Sequence, residues 1–117
     1  MLFRSLIQAA VLLGALSSGA LDADRRHRLE RYARCIGLAF QVMDDVLDAE
    51  TDTATLGKTA GKDAAQGKAT YLTLMSAREA RAYAQELHDE ALATLAPFGA
   101  ASTRLADIAR FIVSRNY

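Results

Sequence analysis

Residues 40–50 read FQVMDDVLDAE. Asp44, Asp45 and Asp48 stand among Phe40, Val42, Met43, Val46 and Leu47, an apolar pattern with helical spacing. On a helix, Asp44 and Asp48 share a face and Asp45 lies about 100° around from Asp44. Three carboxylates this close repel one another unless water or a cation stands between them. Oxygen donors that are rich in carboxylate and open to water suit Mg²⁺. That ion normally bridges a few carboxylates to substrate phosphates, because it gives up its water reluctantly. A solvated acidic stripe fits the same pattern, so DDxxD alone leaves both readings open.

Upstream, the pattern stays helical. A helix is expected from about Asp22, a suitable N-cap, to about Ala49, roughly 40 Å long. Its start is polar (Asp24, Arg25, Arg26, Arg28, Glu30, Arg31) and its end apolar (Ile36 to Leu47), so the later half belongs inside the protein or in a cleft. Before it, a first helix is expected from about Phe3 to Leu16. Leu6, Ala10, Leu13 and Ala9, Leu12, Leu16 recur at helical spacing, and Gly19 is a natural stop. The same stretch has the outline of a secretory signal, although Gln8 interrupts its apolar run and Arg4 is its only positive charge. An apolar run of about a dozen residues is too short to span a bilayer.

Downstream lies TDTATLGKTAGKDAAQGKAT, residues 51–70, with glycines at 57, 61 and 67 and lysines at 58, 62 and 68. This is expected to be a long loop. A short apolar helix should follow over about Thr70–Met75. Ser76-Ala-Arg-Glu79 is a capping box that opens a helix to about Leu95, which Pro97 and Gly99 end. A last helix is expected from about Thr103 to Ser114. Valine and isoleucine are sparse and do not alternate with polar residues, so no strand is expected.

The bulk composition is restrictive. The 117 residues suffice for a single all-α domain over 1–117 with a real core. Fourteen basic residues balance fourteen acidic ones. A net charge of zero gives no general attraction to nucleic acid or to an anionic membrane, and no stable membrane insertion is expected. The single cysteine, Cys35, excludes an intrachain disulfide framework and fits a reducing, cytoplasmic setting. It stands in a helical run and reads as a small packing residue.

The lysine loop bears on the aspartates. Flexible backbone and ammonium groups suit phosphate oxygens, so carboxylates followed closely by this loop read as a Mg²⁺–diphosphate site. A P-loop is excluded. Gly57-Lys58-Thr59 matches the end of that motif, but Asp52 stands where its first glycine is required, and no strand precedes it.

GLAFQVMDDVLD, then DTATLGKTAGKD, then GKATY together resemble the C-terminal half of a bacterial trans-prenyl diphosphate synthase, most like the farnesyl diphosphate synthases. The pattern FQxxDDxxD…GK…GxD…GKxTY is far more specific than DDxxD, and the likeness covers nearly the whole chain. SLIQAAVLLGALSSG also resembles a helix of that family, which favours a helix over a secretory signal. The resemblance implies an all-α fold, the C-terminal part of an isoprenoid-synthase-type helical bundle. It implies Asp44 as the principal Mg²⁺ ligand, with Asp45 and Asp48 completing the site directly or through water. It gives Lys58, and Lys68 beside it, to the allylic diphosphate. It sets Gln41 toward the reacting centre, Phe40 along the prenyl pocket, and Asp63 in a charge pair that orders the loop. Lys62 matches no position in the pattern and reads as a solvated lysine.

The chemistry so implied is Mg²⁺-assisted ionisation of an allylic diphosphate and attack on the cation by isopentenyl diphosphate. The chain departs from the family in length, in lacking a first DDxxD motif and upstream arginines, and in carrying Leu2, Phe3 and Arg4 where Lys-Thr-Gly is usual. Met43 stands where glutamine is common. Such a chain alone, as a monomer, should show little or no condensation activity. Unpartnered apolar helix faces imply a homodimer. A non-catalytic helical oligomerisation module with a vestigial site is the alternative.

Overall fold

The computed structural model describes residues 2–17, 19, 21–56 and 71–116. Four α-helices account for most of them: α1 Leu2–Leu16, α2 Ala23–Leu56, α3 Ala77–Leu95 and α4 Thr103–Ser114. Short 3-10 segments, Tyr71–Thr73 and Ala96–Ser102, precede and follow α3. No strand occurs among the described residues.

The helix ends follow local chemistry. Asp22 accepts the Arg25 amide on its side chain at 2.8 Å, the N-cap expected of it. The Ser76–Glu79 capping box is formed in both directions. Gly19 takes φ 80 as the chain leaves α1, and its amide bonds the Leu16 carbonyl. Gly99, with φ 59, makes the kink between α3 and α4. One boundary differs from expectation. α2 continues through residues 50–56, to 34 residues and about 51 Å. No glycine or proline stands between Ala49 and Gly57, so the helix propagates across a stretch whose polarity reads as loop. The helix expected over Thr70–Met75 is reduced to the 3-10 turn at Tyr71–Thr73.

α2 is the central rod. α3 runs antiparallel to it: Arg31 meets Glu90 at one end and Glu50 meets Arg81 at the other, each pair at 2.7 Å. α4 runs parallel to it. The Tyr32 hydroxyl donates to the Leu105 carbonyl at 2.8 Å, and Arg115, just past α4, reaches the Phe40 carbonyl. Two connected groups of buried residues fill the space. Leu29, Tyr32, Ile36 and Ala39 of α2 meet Leu87, Ala91 and Leu95 of α3 and Ala109 and Ile112 of α4. Further along, Val42, Met43, Val46 and Leu47 meet Ala80 and Ala84. The apolar later half of α2 is therefore inside, as its sequence requires.

α1 packs on the other side of α2. Its contact residues are Ile7, Val11 and Ala15. The leucines singled out by spacing, Leu6, Leu13 and Leu16, face outward instead. α1 is apolar nearly all round, so periodicity could not choose its buried face. No described helix is long and apolar enough to cross a membrane.

Candidate functional site

α2 presents two faces, and the site lies on the one turned away from α3 and α4. At about 100° per residue, Val42, Met43 and Val46 cluster on one side of the helix and Gln41, Asp44, Asp45 and Asp48 on the opposite side. Burial agrees. Val42, Met43 and Val46 are essentially inaccessible. Gln41, Asp44 and Asp45 are half-buried and Asp48 is exposed. Met43 is one of the largest fully buried side chains.

The acidic face continues the strip that α1 covers. Glu30, Ala33 and Arg34 of α2 line a small cleft with Gln8 and Leu12 of α1. α1 and α2 form a hairpin, so six residues back from Gln8 the first turn of α1 stands beside roughly residues 39–40, by equal rise. Gln41, Asp44, Asp45 and Asp48 are the next residues along the same strip, on the side of α2 opposite its packed core.

Two arginine links bracket this segment. Beyond Asp48, the Arg81 guanidinium binds both Glu50 carboxylate oxygens, at 2.7 and 2.8 Å. Before Gln41, Arg115 Nη2 donates to the Phe40 carbonyl at 3.3 Å, and its guanidinium lies 4.5 Å from the centre of the Phe40 ring. Neither link was legible in the sequence, since each joins residues far apart in the chain and neither belongs to a motif. Phe40 also packs, partly buried, against the main core, so it is at once a core residue and the neighbour of Gln41.

The donor set fits a hard cation, but not a closed cage. Among the described residues, no three His, Cys, Asp or Glu side chains converge to hold one ion. Asp44 and Asp48, one turn apart on a half-open face, can offer monodentate oxygens to an ion whose other positions are filled by water or phosphate. Lys58 and Lys68, with Lys62 and Asp63, lie outside the described residues. Cys35 is buried in the core beside Tyr32, a packing residue as expected.

Comparison with known proteins shows the family. A family model described as polyprenyl synthetase matches residues 4–97. Farnesyl diphosphate synthase of Escherichia coli K12 is 48% identical over 117 residues, 96% of this chain and 38% of that protein. A dimethylallyltranstransferase of Fischerella ambigua is 46% identical over 113 residues, 97% of this chain and 32% of its own length. The mitochondrial geranylgeranyl pyrophosphate synthase 6 of Arabidopsis thaliana is 46% identical over 111 residues, 94% of this chain and 33% of its own. The crystal structure of a candidate farnesyl-diphosphate synthase from Marinomonas sp. MED121 superposes with a TM-score of 0.75 and 37% identity, over 96% of this chain and 36% of that one. The chain thus spans about a third of the length of the relatives it matches.

Proposed function

The chain belongs to the polyprenyl synthetase family, and from that premise we propose that it supplies the second aspartate-rich site of a short-chain trans-prenyltransferase of the farnesyl diphosphate synthase kind. The reaction is condensation of an allylic diphosphate with isopentenyl diphosphate, carried out in the cytoplasm. Residues 1–117 act in it as a single all-α domain. The observation that carries this reading is the grouping of Gln41, Asp44, Asp45 and Asp48 on one face of α2, opposite the packed core that Val42, Met43 and Val46 enter. Relatives named for farnesyl and geranylgeranyl diphosphate synthesis support the substrate class.

Each residue has a part. Asp44, with Asp45 and Asp48 completing the site directly or through water, would hold Mg²⁺, which when bound would neutralise charge on the diphosphate leaving group. Lys58 and Lys68 pair with diphosphate oxygens. Gln41, beside the carboxylates, turns its amide toward the allylic carbon as the C–O bond breaks and the electron pair leaves with the diphosphate. Phe40 lines the prenyl chain's path. The isopentenyl double bond then attacks the allylic cation, and loss of a proton gives the longer prenyl diphosphate.

The test is binding. Mg²⁺-dependent binding of inorganic diphosphate, followed by ³¹P NMR, should weaken at least tenfold in Asp44→Ala while the circular dichroism spectrum is unchanged. No binding by the unsubstituted chain, or none that depends on Mg²⁺, would remove this reading. The exposed leucines of α1 bear on a second reading, a helical oligomerisation module with a vestigial site. A stable dimer that binds no diphosphate would establish that alternative. We further propose that the chain forms a homodimer through the outer face of α1, where Leu6, Leu13 and Leu16 are exposed.

A further inference from the structure

The Arg115 side chain makes an unusual return. α4 ends at Ser114, and Arg115 is its C-cap, in extended conformation with φ −65 and ψ 152. Its amide still bonds the Phe111 carbonyl at 3.0 Å, so the backbone is held as the helix stops. The side chain then crosses to α2. Nη2 donates to the Phe40 carbonyl, and the guanidinium stacks on the Phe40 ring. The residue is half-buried, and it lies outside the 4–97 stretch that the family model matches.

What Arg115 grips matters. In an α-helix the carbonyl of residue 40 accepts the amide of residue 44. The Phe40 oxygen therefore serves two donors, the Asp44 backbone and the Arg115 guanidinium. A charged donor polarises that carbonyl, and hydrogen bonds in series strengthen one another. The ring contact fixes the Phe40 side chain as well. With Glu50–Arg81 at the far end, the turn that carries Gln41, Asp44, Asp45 and Asp48 is tied to α4 on one side and to α3 on the other.

We propose that Arg115 is a positioning residue for the acidic face of α2, setting Phe40 and the Asp44 turn so that the carboxylates meet a Mg²⁺–diphosphate group. The proposal rests on the diphosphate reading above. In the full chain, Arg115→Met keeps the side-chain length and removes both contacts. It should weaken Mg²⁺-dependent inorganic diphosphate binding about fivefold and move the Asp44 amide signal in the ¹H–¹⁵N spectrum, with melting temperature nearly unchanged. Arg115→Lys retains a cation over the ring and one donor for the carbonyl, and should recover at least half of the lost affinity. Arg110→Met, whose parent residue pairs with Asp107 on α4, serves as the control and should bind like the unsubstituted chain. Binding by Arg115→Met within twofold of the unsubstituted chain, or an unmoved Asp44 amide, overturns the positioning role alone. A collapse of melting temperature with shifts throughout the spectrum also overturns it, in favour of a general structural role. Absence of binding by the unsubstituted chain overturns the diphosphate reading and the positioning role with it.

Discussion

Tyr32 and Cys35 show how the core constrains single side chains. Tyr32 is fully buried, and burial pushes its phenol up to about 12 from an ordinary value of 10.0. The hydroxyl also donates to the Leu105 carbonyl, a bond that phenolate cannot make. Burial, with the nearby Glu90 carboxylate, pushes the Cys35 thiol up to about 11 from 9.0. In both groups the folded pKa is raised, so each contribution to stability is complete below the unfolded value and is lost as pH rises through the folded one. Stability should therefore begin to fall above about pH 9 and continue falling toward pH 12, by about 2 kcal/mol for each group. Urea midpoints across that range would show it: Tyr32→Phe should flatten the upper part of the fall and Cys35→Ala the lower. A midpoint flat between pH 9 and pH 11 would contradict this. At pH 8 the native thiol should also resist iodoacetamide, and rapid labelling of the folded chain would contradict its place in the core.

At the scale of helices, the register of α2 against α3 sets where the acidic face points. The contact beneath it is made with small residues: Ala80 and Ala84 are completely buried against Val42, Met43 and Val46. There is no room for a larger side chain. Ala84→Leu should cost about 2 kcal/mol by overpacking and should weaken the Mg²⁺-dependent diphosphate affinity, because α2 must move off α3 near Asp44. A fully stable Ala84→Leu chain in a chemical denaturation series would mean that this contact is looser than the packing indicates. The elements themselves were largely legible beforehand. The Ser76 capping box and the span Thr103–Ser114 follow from local chemistry, and local chemistry is what sequence shows best. The last turns of α2 were not legible, because polar residues without glycine or proline suit helix and loop alike. Nor was the buried face of α1, since an apolar helix has no unique stripe. At the site, the DDxxD spacing predicted a shared carboxylate face, and the helix bears that geometry. The Phe40–Arg115 and Glu50–Arg81 links depend on tertiary contacts across 75 and 31 residues and left no local trace.

For the whole molecule the outstanding feature is α1. Leu6, Leu13 and Leu16 are 55%, 68% and 47% exposed. With Ala9 and Ala10, also exposed, they form a stripe at spacings of three, four and seven residues. It carries no charge between Leu6 and Leu16. Such a stripe can seat against a second copy of itself about a twofold axis, where each residue meets its equivalent or its neighbour. Sedimentation equilibrium at micromolar concentration should therefore give the mass of a dimer. Leu13→Glu places a carboxylate in the middle of the stripe, and a charge there has no partner across the twofold axis. It should weaken association at least tenfold and leave helical content unchanged, because Leu13 makes no core contact within its own chain. A monomer mass for the unsubstituted chain under the same conditions would remove the homodimer. It would leave the Asp44 and Arg115 predictions standing, since both concern contacts within one chain.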